Sequence, residues 1–320
     1  MLEVLLIILA AIAGLIVSVV IAGRLKWLRA TEALRGELYN AAATESASTG
    51  APARGSVPRS GPGKHRGSES VKDGQDALPA PVERYLSIVL AEKEGGGEVE
   101  DEPRSVELDQ YGSFNMSETG ANWRPFTAHQ WVTLERPGFL WNARIASGLG
   151  TNMRVHDAYL AEEGVLHAAL VGLISVARVR DSGDMGRGEL LRFLAEAPWY
   201  PHVLRPRSDD RPAGAPRVRW EPVDERSARA TLRDGNVEAE VTFFFGRDGL
   251  VESVRAEKRG RAVSSKLIQT PWEGRWWNYE RFDGVLVPTE GEVTWVTEEG
   301  DQPYYRGTLS RISFYYGSRE

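Results

Sequence analysis

Four carboxylates stand beside aromatic or apolar residues in this sequence and are its first candidates for acid–base chemistry: Asp157, Glu189, Glu196 and Glu290. A carboxylate in apolar surroundings either pairs with a cation or has a raised pKa, as general acids do. Arg192 lies one helical turn before Glu196 and one turn after Glu189, so ion pairs along a helix are the simpler interpretation. The pattern therefore favours structural ion pairs over a catalytic pair.

Histidines could add metal ligands to these carboxylates. His156 and Asp157 could meet His167 across neighbouring strands, with Glu162 or Glu163 at the turn between them, which would give nitrogen and oxygen ligands. Histidines at such spacing on strands are more often ordinary polar side chains, so no metal is predicted. The sequence contains no cysteine, which excludes disulfides, zinc–thiolate sites, iron–sulfur clusters and thiol nucleophiles.

Sequence motifs with a known reaction are missing. Gly183-x-x-Gly186-x-Gly188 precedes a helix, but it lacks the Lys-Ser/Thr of a P-loop and the spacing of a dinucleotide fingerprint, so these glycines are interpreted as shaping a loop. There is no His-Glu-x-x-His, Gly-x-Ser-x-Gly or calcium loop. No cofactor is predicted, and a protein without enzymatic activity is favoured over an enzyme. A net charge of −6 and a pI near 5.6 argue against nucleic-acid binding.

Residues 1–23 are predicted to form a transmembrane helix. Leu2 to Gly23 is apolar apart from Glu3 and Ser18, and it is long enough as a helix to cross a hydrocarbon layer of ~30 Å. A cleaved secretory signal is the alternative, but the segment lacks a basic start and is long for such a signal. Basic residues follow at once and, by the positive-inside rule, predict that the soluble part lies on the cytoplasmic side of the cell membrane: Arg24, Lys26, Arg29 and Arg35.

Three segments follow the apolar run. Residues 24–41 are predicted to be a juxtamembrane helix, because leucines recur there at helical spacing. Residues 42–77 are predicted to be a disordered linker, since they are rich in Ala, Ser, Thr, Gly and Pro and lack large apolar residues. Residues 78–320 are predicted to form a single β-rich globular domain.

Within that domain, Leu78 to Leu90 is predicted to be a helix and about ten strands follow it. Turn pairs such as Asp234-Gly235 and Asp248-Gly249 separate alternating apolar runs, as in hairpins. The predicted strands include Asn152 to Leu160, Val237 to Phe245, Val251 to Lys258, Trp272 to Phe282, Val285 to Pro288 and Glu290 to Val296. A sheet of this size curls into a barrel or half-open barrel, or folds into two layers. An amphipathic helix that begins near Glu189 and is ended by Pro198 interrupts the strands and is placed to close the concave side. The predicted fold class is α+β, mainly antiparallel β: a large curved sheet with few helices.

Spaced motifs in this domain resemble an uncharacterised bacterial family known as DUF6544/DUF6920. The motifs are Leu78-Pro79-x-Pro81-Val82-x-Arg84-Tyr85-Leu86, Gly112, Trp123-x-Pro125-Phe126-x-Ala128-x-Gln130, Pro137-Gly138-Phe139-x-Trp141-x-Ala143 and Gly188-Glu189-Leu190-x-Arg192-x-Leu194-Ala195-Glu196-x-Pro198-Trp199-x-Pro201. The resemblance implies a fold similar to that of the LolA/LolB lipoprotein carriers, a half-open antiparallel barrel with helices in its mouth. It implies no reaction, because none is assigned to the family.

Three functions are compatible with the sequence. The first is a membrane-anchored binding module for an apolar or amphiphilic, lipid-like ligand in the curved sheet. The second is a structural or partner-binding domain without a ligand. The third is an enzyme acting on a membrane-derived substrate, with Asp157, Glu196 or His129 as acid or base. The candidate ligand-binding residues of the first hypothesis combine large apolar with polar side chains: Gln130, Trp141, Arg144, Asp157, Arg192, Glu196 and Trp199.

Overall fold

A computed structural model describes the protein over residues 1–49, 78–91, 102–117, 120–148, 150–205, 218–264 and 266–317. The first helix, α1, runs without a break from Leu2 to Thr49. The sequence predicted a transmembrane helix to residue 23 and a helical continuation over residues 24–41, and good helix formers without a proline span the boundary between them. Residues 42–49, which were assigned to the linker, are helical, and the rest of the predicted linker lies outside the described residues. Within the described part, α1 is the one helix long and apolar enough to cross a membrane, with a mean hydropathy of 3.3 over its most apolar stretch.

The second helix, α2 (Ala80–Val89), begins one residue after Pro79 and lies inside the predicted Leu78–Leu90 helix. Six strands follow: β1 (Ser105–Asn115), β2 (Trp123–Thr133), β3 (Gly138–Gly148), β4 (Thr151–Leu160), β5 (Glu163–Leu170) and β6 (Ile174–Asp181). Helix α3 (Asp184–Ala195) and two 3₁₀ turns (Ala197–Trp199 and Pro201–Leu204) come next. Seven more strands complete the described chain: β7 (Val218–Asp224), β8 (Ser227–Asp234), β9 (Val237–Phe245), β10 (Val251–Val263), β11 (Lys266–Phe282), β12 (Val285–Thr297) and β13 (Gly300–Tyr315).

The thirteen described strands form one antiparallel sheet, in the order β6-β5-β4-β3-β2-β1-β13-β12-β11-β10-β9-β8-β7. Two meanders, β1–β6 and β7–β13, are joined where β13 pairs with β1. The sequence predicted about ten strands, with a later start for β11 and a break in β12. In the structure both strands are continuous, because Lys266 to Thr270 already pair with β10 and because β12 pairs with β11 in one register on both sides of Thr289.

Helix α3 shows that the sheet is curved. It packs against β3–β6 on one side and against β9 and β10 on the other, although these strands stand far apart in the strand order. The turns of the two arms also meet, since the backbone N–H of Asn236 donates to Glu162 at 2.8 Å and the Tyr159 hydroxyl donates to Asp234 at 2.9 Å. Gly186 lets α3 pack closely on the β4–β5 turn, because a Cβ there would lie 2.6 Å from the carbonyl oxygen of Glu162. The predicted curved sheet with a helix closing its concave side is confirmed.

The concave side is filled by side chains. Large residues of α3 and the following 3₁₀ turns are at most 2% exposed and form the core with the inner face of the sheet: Leu190, Leu191, Phe193, Leu194, Trp199 and Tyr200. Helix α2 adds Val82, Tyr85 and Val89 to the same core. Burial of this apolar surface is the main stabilising term of the fold.

The convex side carries α1 over β2–β4. Residues therefore alternate between two covered faces along β4: Asp157 and Tyr159 lie on the inner face with α3, whereas His156 and Ala158 lie on the outer face with α1. Leu38 of α1 belongs to a second, outer cluster with Trp131, Leu140, Ala158, Leu160 and Val165. One region of the sheet is thus covered on both sides.

Candidate functional site

Arg192 is the centre of a buried charged group on the inner face. Its Nε donates to Glu196 Oε1 at 2.7 Å and its Nη1 donates to Asp157 Oδ2 at 2.7 Å. The guanidinium also lies over the rings of Phe139 and Trp141, at 4.7 and 5.4 Å from their centroids. The predicted pair of Arg192 with Glu196 is present, and Asp157 joins it from β4. These contacts fix α3 to the sheet.

Neutral polar side chains of β1–β3 continue the group. The Gln130 amide donates to Glu196 Oε2 at 2.7 Å, and Gln110 donates to Gln130 at 3.3 Å. Trp141 Nε1 in turn donates to Gln110 Oε1 at 2.9 Å. Both oxygens of Glu196 therefore accept a hydrogen bond, as a buried carboxylate requires.

Glu189 extends the group towards the other arm of the sheet. Its Oε1 accepts a hydrogen bond of 3.1 Å from Arg259 of β10. Three carboxylates thus face two guanidiniums, and we refer to these five residues as the charge cluster: Asp157, Glu189, Arg192, Glu196 and Arg259. Fully ionised, the charge cluster would carry one excess negative charge in a buried place, so it favours a bound proton or a cationic group.

The pKa values within the charge cluster are consistent with that excess. Burial, followed by the neighbouring charge of Asp157, raises the pKa of Glu189 to about 7. Burial also raises the pKa of Asp157 above its ordinary value, although Arg192 opposes the shift. Burial by itself would lower the pKa of Arg192, but the surrounding carboxylates raise it. The charge cluster therefore binds a proton more readily than separate, solvated carboxylates do.

Two carboxylate oxygens of the charge cluster are buried and accept no hydrogen bond from the described residues, namely Asp157 Oδ1 and Glu189 Oε2. The cation next to Glu189 Oε2 is Arg192 Nη1, at 3.9 Å. A buried polar atom without a hydrogen bond costs about 1–3 kcal/mol. These oxygens can accept N–H or O–H groups of a ligand, or hold a proton.

Aromatic side chains border the charge cluster at Arg259. The Arg259 guanidinium lies 5.0 Å from the ring centroid of Trp272, whose Nε1 donates to the Tyr304 hydroxyl at 2.9 Å. Tyr304 stacks on Trp295 at 5.6 Å and meets the edge of Phe114 at 5.7 Å. Trp272 is buried, whereas the other three rings are half-buried. We call Phe114, Trp272, Trp295 and Tyr304 the aromatic rim.

The sequence of this chain matches one known protein family. The profile of a family of unknown function (DUF6920) matches residues 76–314. The chain belongs to the DUF6920 family. The family membership predicted from the spaced motifs is confirmed, and no curated protein matches the sequence.

Two solved structures are similar to the DUF6920 protein at low sequence identity. A LolA superfamily protein from Nitrosomonas europaea shares 11% identity, with a TM-score of 0.36, over 73% of this chain and 91% of the other. A β-barrel-like protein of domain of unknown function DUF1849 from Brucella abortus shares 9% identity, with a TM-score of 0.22, over 67% of this chain and 99% of the other.

The DUF6920 structure brings five of the seven predicted site residues together: Gln130, Trp141, Asp157, Arg192 and Glu196. Trp199 lies in the core, 2% exposed, where its Nε1 donates to the Pro288 carbonyl and its ring meets Trp276 edge-on. Arg144 lies on the outer face of β3, opposite Arg154 of β4, and is exposed.

Sequence reasoning missed Gln110, Arg259, Trp272 and Tyr304. Arg259 was placed one residue past the predicted end of its strand, and it meets Glu189 across 70 positions of sequence. No local pattern signals such a contact.

The histidines lie apart from the charge cluster. His156 and His167 surround Trp27 of α1 on the outer face, with ring centroids 3.9 and 5.1 Å from the indole, whereas Asp157 points to the inner face. His129 bonds to Asp109 and stacks edge-on against Trp131, a member of the outer cluster. Across the described ranges, no group of three or more His, Asp or Glu is placed to hold a metal ion.

Proposed function

We propose that this DUF6920 protein is a membrane-anchored binding module for an amphiphilic, lipid-like molecule. One observation carries the proposal: the half-buried aromatic rim passes directly into a buried charge cluster with two carboxylate oxygens that accept no hydrogen bond. Ligand sites commonly combine apolar walls with a few polar groups that fix orientation. The apolar run of α1 supplies the anchor, and its basic flank favours the cytoplasmic side.

The ligand is expected to lie along the rim with its polar end towards Glu189. Phe114, Trp295 and Tyr304 offer ring faces and edges to an acyl chain. The deeper concavity is occupied by Phe193 and the leucines of α3, and expelling each such side chain would cost about 1.5–3 kcal/mol of burial. A ligand therefore gains more by covering the rim than by displacing α3.

The polar end of the ligand is expected to donate hydrogen bonds. Glu189 Oε2 and Asp157 Oδ1 are acceptors when ionised, and the excess negative charge of the cluster favours a cationic or N–H-bearing group. A fatty carboxylate, in contrast, would add a fourth negative charge to a buried group. The expected chemical class is an amphiphile with an amine or hydroxyl headgroup.

Native mass spectrometry of the full chain, purified in mild detergent from its expression host, tests the proposal. The expected result is a retained lipid on the wild type and its loss in Trp295→Ala. Trp277→Ala is the control, since Trp277 is a more exposed tryptophan of β11 whose Nε1 donates to Glu290 away from the rim. An empty wild-type protein, or equal retention in both variants, would contradict rim binding.

A structural or partner-binding domain without a ligand is the second candidate. The filling of the concavity by buried side chains of α3 favours it. In that case Trp295→Ala changes stability alone and no variant alters a bound mass.

A further inference from the structure

Helix α1 meets the sheet at the residue where its apolar run ends. A Cβ on Gly23 would lie 2.4 Å from the Val171 carbonyl oxygen, and one on Gly172 would lie 2.8 Å from the Gly23 carbonyl oxygen. Gly172 has a φ of 78° in the turn between β5 and β6. Backbone therefore packs on backbone here, which only glycine allows. The β5–β6 turn is held at the level where α1 would leave the membrane.

The next turns of α1 keep that position fixed. Trp27 Nε1 donates to the Asn142 side chain at 3.0 Å, and the Thr31 hydroxyl bonds to His156 Nε2 at 2.8 Å. Since a helix rises 1.5 Å per residue, Trp27 lies only ~6 Å beyond Gly23. The sheet is thus attached rigidly to the anchor, so one particular surface must face the bilayer.

That surface is basic. Arg144 and Arg154 are directly opposite in the β3–β4 register, and the Arg154 Cδ would lie 3.3 Å from a Cβ on Gly172, beside the exit of α1. Burial, followed by the charges of Arg144 and Arg24, lowers the pKa of Arg154. Arg178 and Lys26 similarly act on His167, the pKa of which burial lowers first.

We call these five residues the basic face: Arg24, Lys26, Arg144, Arg154 and Arg178. In the described part of the chain, none of them has a carboxylate within salt-bridge distance. Like charges placed directly opposite on a sheet repel each other. By contrast, Arg180 on the same strand as Arg178 is neutralised by Glu37 and Glu163. The unneutralised charges are concentrated beside Gly23 and decrease further along α1.

Exposed apolar residues begin the edge strand β6, next to the turn that packs on Gly23 of α1. Ile174 and Val176 of β6 are each 62% exposed and directly follow the β5–β6 turn. β6 is also an edge strand of the sheet. Apolar side chains next to clustered Lys and Arg are typical of surfaces that lie in the headgroup layer of a membrane.

We infer that the basic face and the β6 edge form a lipid-contacting surface that binds the phosphate groups of anionic lipids around the anchor. The inference rests on the proposed membrane anchor but not on the proposed rim ligand. Arg144 and Arg154 contact lipid phosphates, which relieves their mutual repulsion, while Ile174 and Val176 enter the headgroup layer. The surface fixes the tilt of the sheet on the membrane.

The absence of cysteine from the sequence allows a direct test. Full-length Val176→Cys is labelled with an environment-sensitive fluorophore and reconstituted in vesicles of phosphatidylcholine with or without phosphatidylglycerol. The matched control is Val223→Cys, since Val223 is 50% exposed on β7, the opposite edge strand. Quenching by spin-labelled lipid is then measured for both labels.

The label at position 176 is expected to be quenched severalfold more than the label at 223, and more strongly with phosphatidylglycerol. The double variant Arg144→Gln, Arg154→Gln should show a smaller increase in quenching when phosphatidylglycerol is added. The expected reduction is about fivefold per arginine, which is the effect of one basic residue on binding to an anionic surface. Arg219→Gln with Arg229→Gln should leave it unchanged, since these exposed arginines belong to β7 and β8.

Equal quenching at the two positions, in protein that co-floats with the vesicles and resists carbonate extraction, would overturn the lipid-contacting surface while leaving the anchor intact. Contact at position 176 without any effect of phosphatidylglycerol would overturn the phosphate contacts. Protein that does not co-float would instead refute the anchor on which the inference rests.

Discussion

Acid is expected to weaken the attachment of α1 to the sheet through His156. This side chain is fully buried between Trp27 and the outer face of the sheet. The Thr31 hydroxyl donates to the Trp27 carbonyl, so it must accept from His156 Nε2, which leaves Nδ1 unprotonated. His156 Nδ1 is buried and finds no hydrogen-bond partner among the described residues. A second proton would thus create a buried imidazolium with no acceptor.

The size of the effect follows from the pKa. Burial, followed by the charges of His167 and Arg154, lowers the pKa of His156 to about 3. In the unfolded chain the pKa is about 6.5, so between these values the unfolded state binds more protons. Stability due to neutral His156 is present above about pH 6.5 and is lost as the pH falls. Linkage gives a loss of about 2 kcal/mol in the free energy of unfolding between pH 7 and pH 5.

The assay is urea unfolding of the full chain in micelles at pH 7 and pH 5, followed by tryptophan fluorescence. His156→Phe is the informative variant, because it keeps an aromatic ring against Trp27 but cannot be protonated. We expect it to be about 1 kcal/mol less stable at pH 7, since the bond to Thr31 is lost. At pH 5 the order should reverse. The difference between the two proteins also cancels the pH-dependent contributions to stability that both share, including that of Glu189.

Equal losses of stability in the wild type and His156→Phe between pH 7 and pH 5 would refute the reasoning. It would mean that His156 is protonated without cost, and therefore that α1 does not cover it as described.

Three further predictions concern the two faces of the sheet. Arg192→Met should lower the free energy of unfolding by about 3–5 kcal/mol, because it leaves buried carboxylates without a cation. Arg187→Met, at an exposed position on the same helix, should change the free energy of unfolding by less than about 0.5 kcal/mol. Chemical denaturation of both variants checks this. The pKa of Glu189 is raised to about 7, so the stability that protonated Glu189 contributes to the wild type is lost as the pH rises from about 4.5 to 7. Measurements of Tm over this pH range should show a smaller fall in Glu189→Gln than in the wild type. Leu38→Ala should cost about 2–5 kcal/mol from the outer cluster and should make α1 cleavable by protease between Gly23 and Thr49, a result that unchanged protection would contradict.

Local signals were sufficient to predict most elements. The predicted strand Val237–Phe245 agrees with β9 at both ends, and Asn152–Leu160 differs from β4 by one residue. Proline and glycine also marked where helices begin and strands turn, as at Pro79 and Gly235. These features depend on neighbours within a few residues, so the sequence itself contains the information. The continuity of β12 through Thr289 did not follow from such a pattern, since it depends on pairing with β11.

The charge cluster was predicted only in part. Helical spacing was enough to connect Arg192 with Glu196. It could not connect Glu189 with Arg259, or Gln110 with Trp141, because these pairs depend on the strand order and on the curvature that brings two arms of the sheet to α3.

The sequence by itself determined an apolar N-terminal helix, an antiparallel sheet, a helix inserted between two meanders and membership of the DUF6920 family. Only the tertiary structure decided which face of the sheet each residue occupies. Alternation distinguishes Asp157 from His156, but it identifies the inner residue only when one face is wet. Here α3 covers one face and α1 covers the other, so both residues are buried or half-buried. Burial of both faces removes the polar–apolar contrast that a sequence would otherwise display.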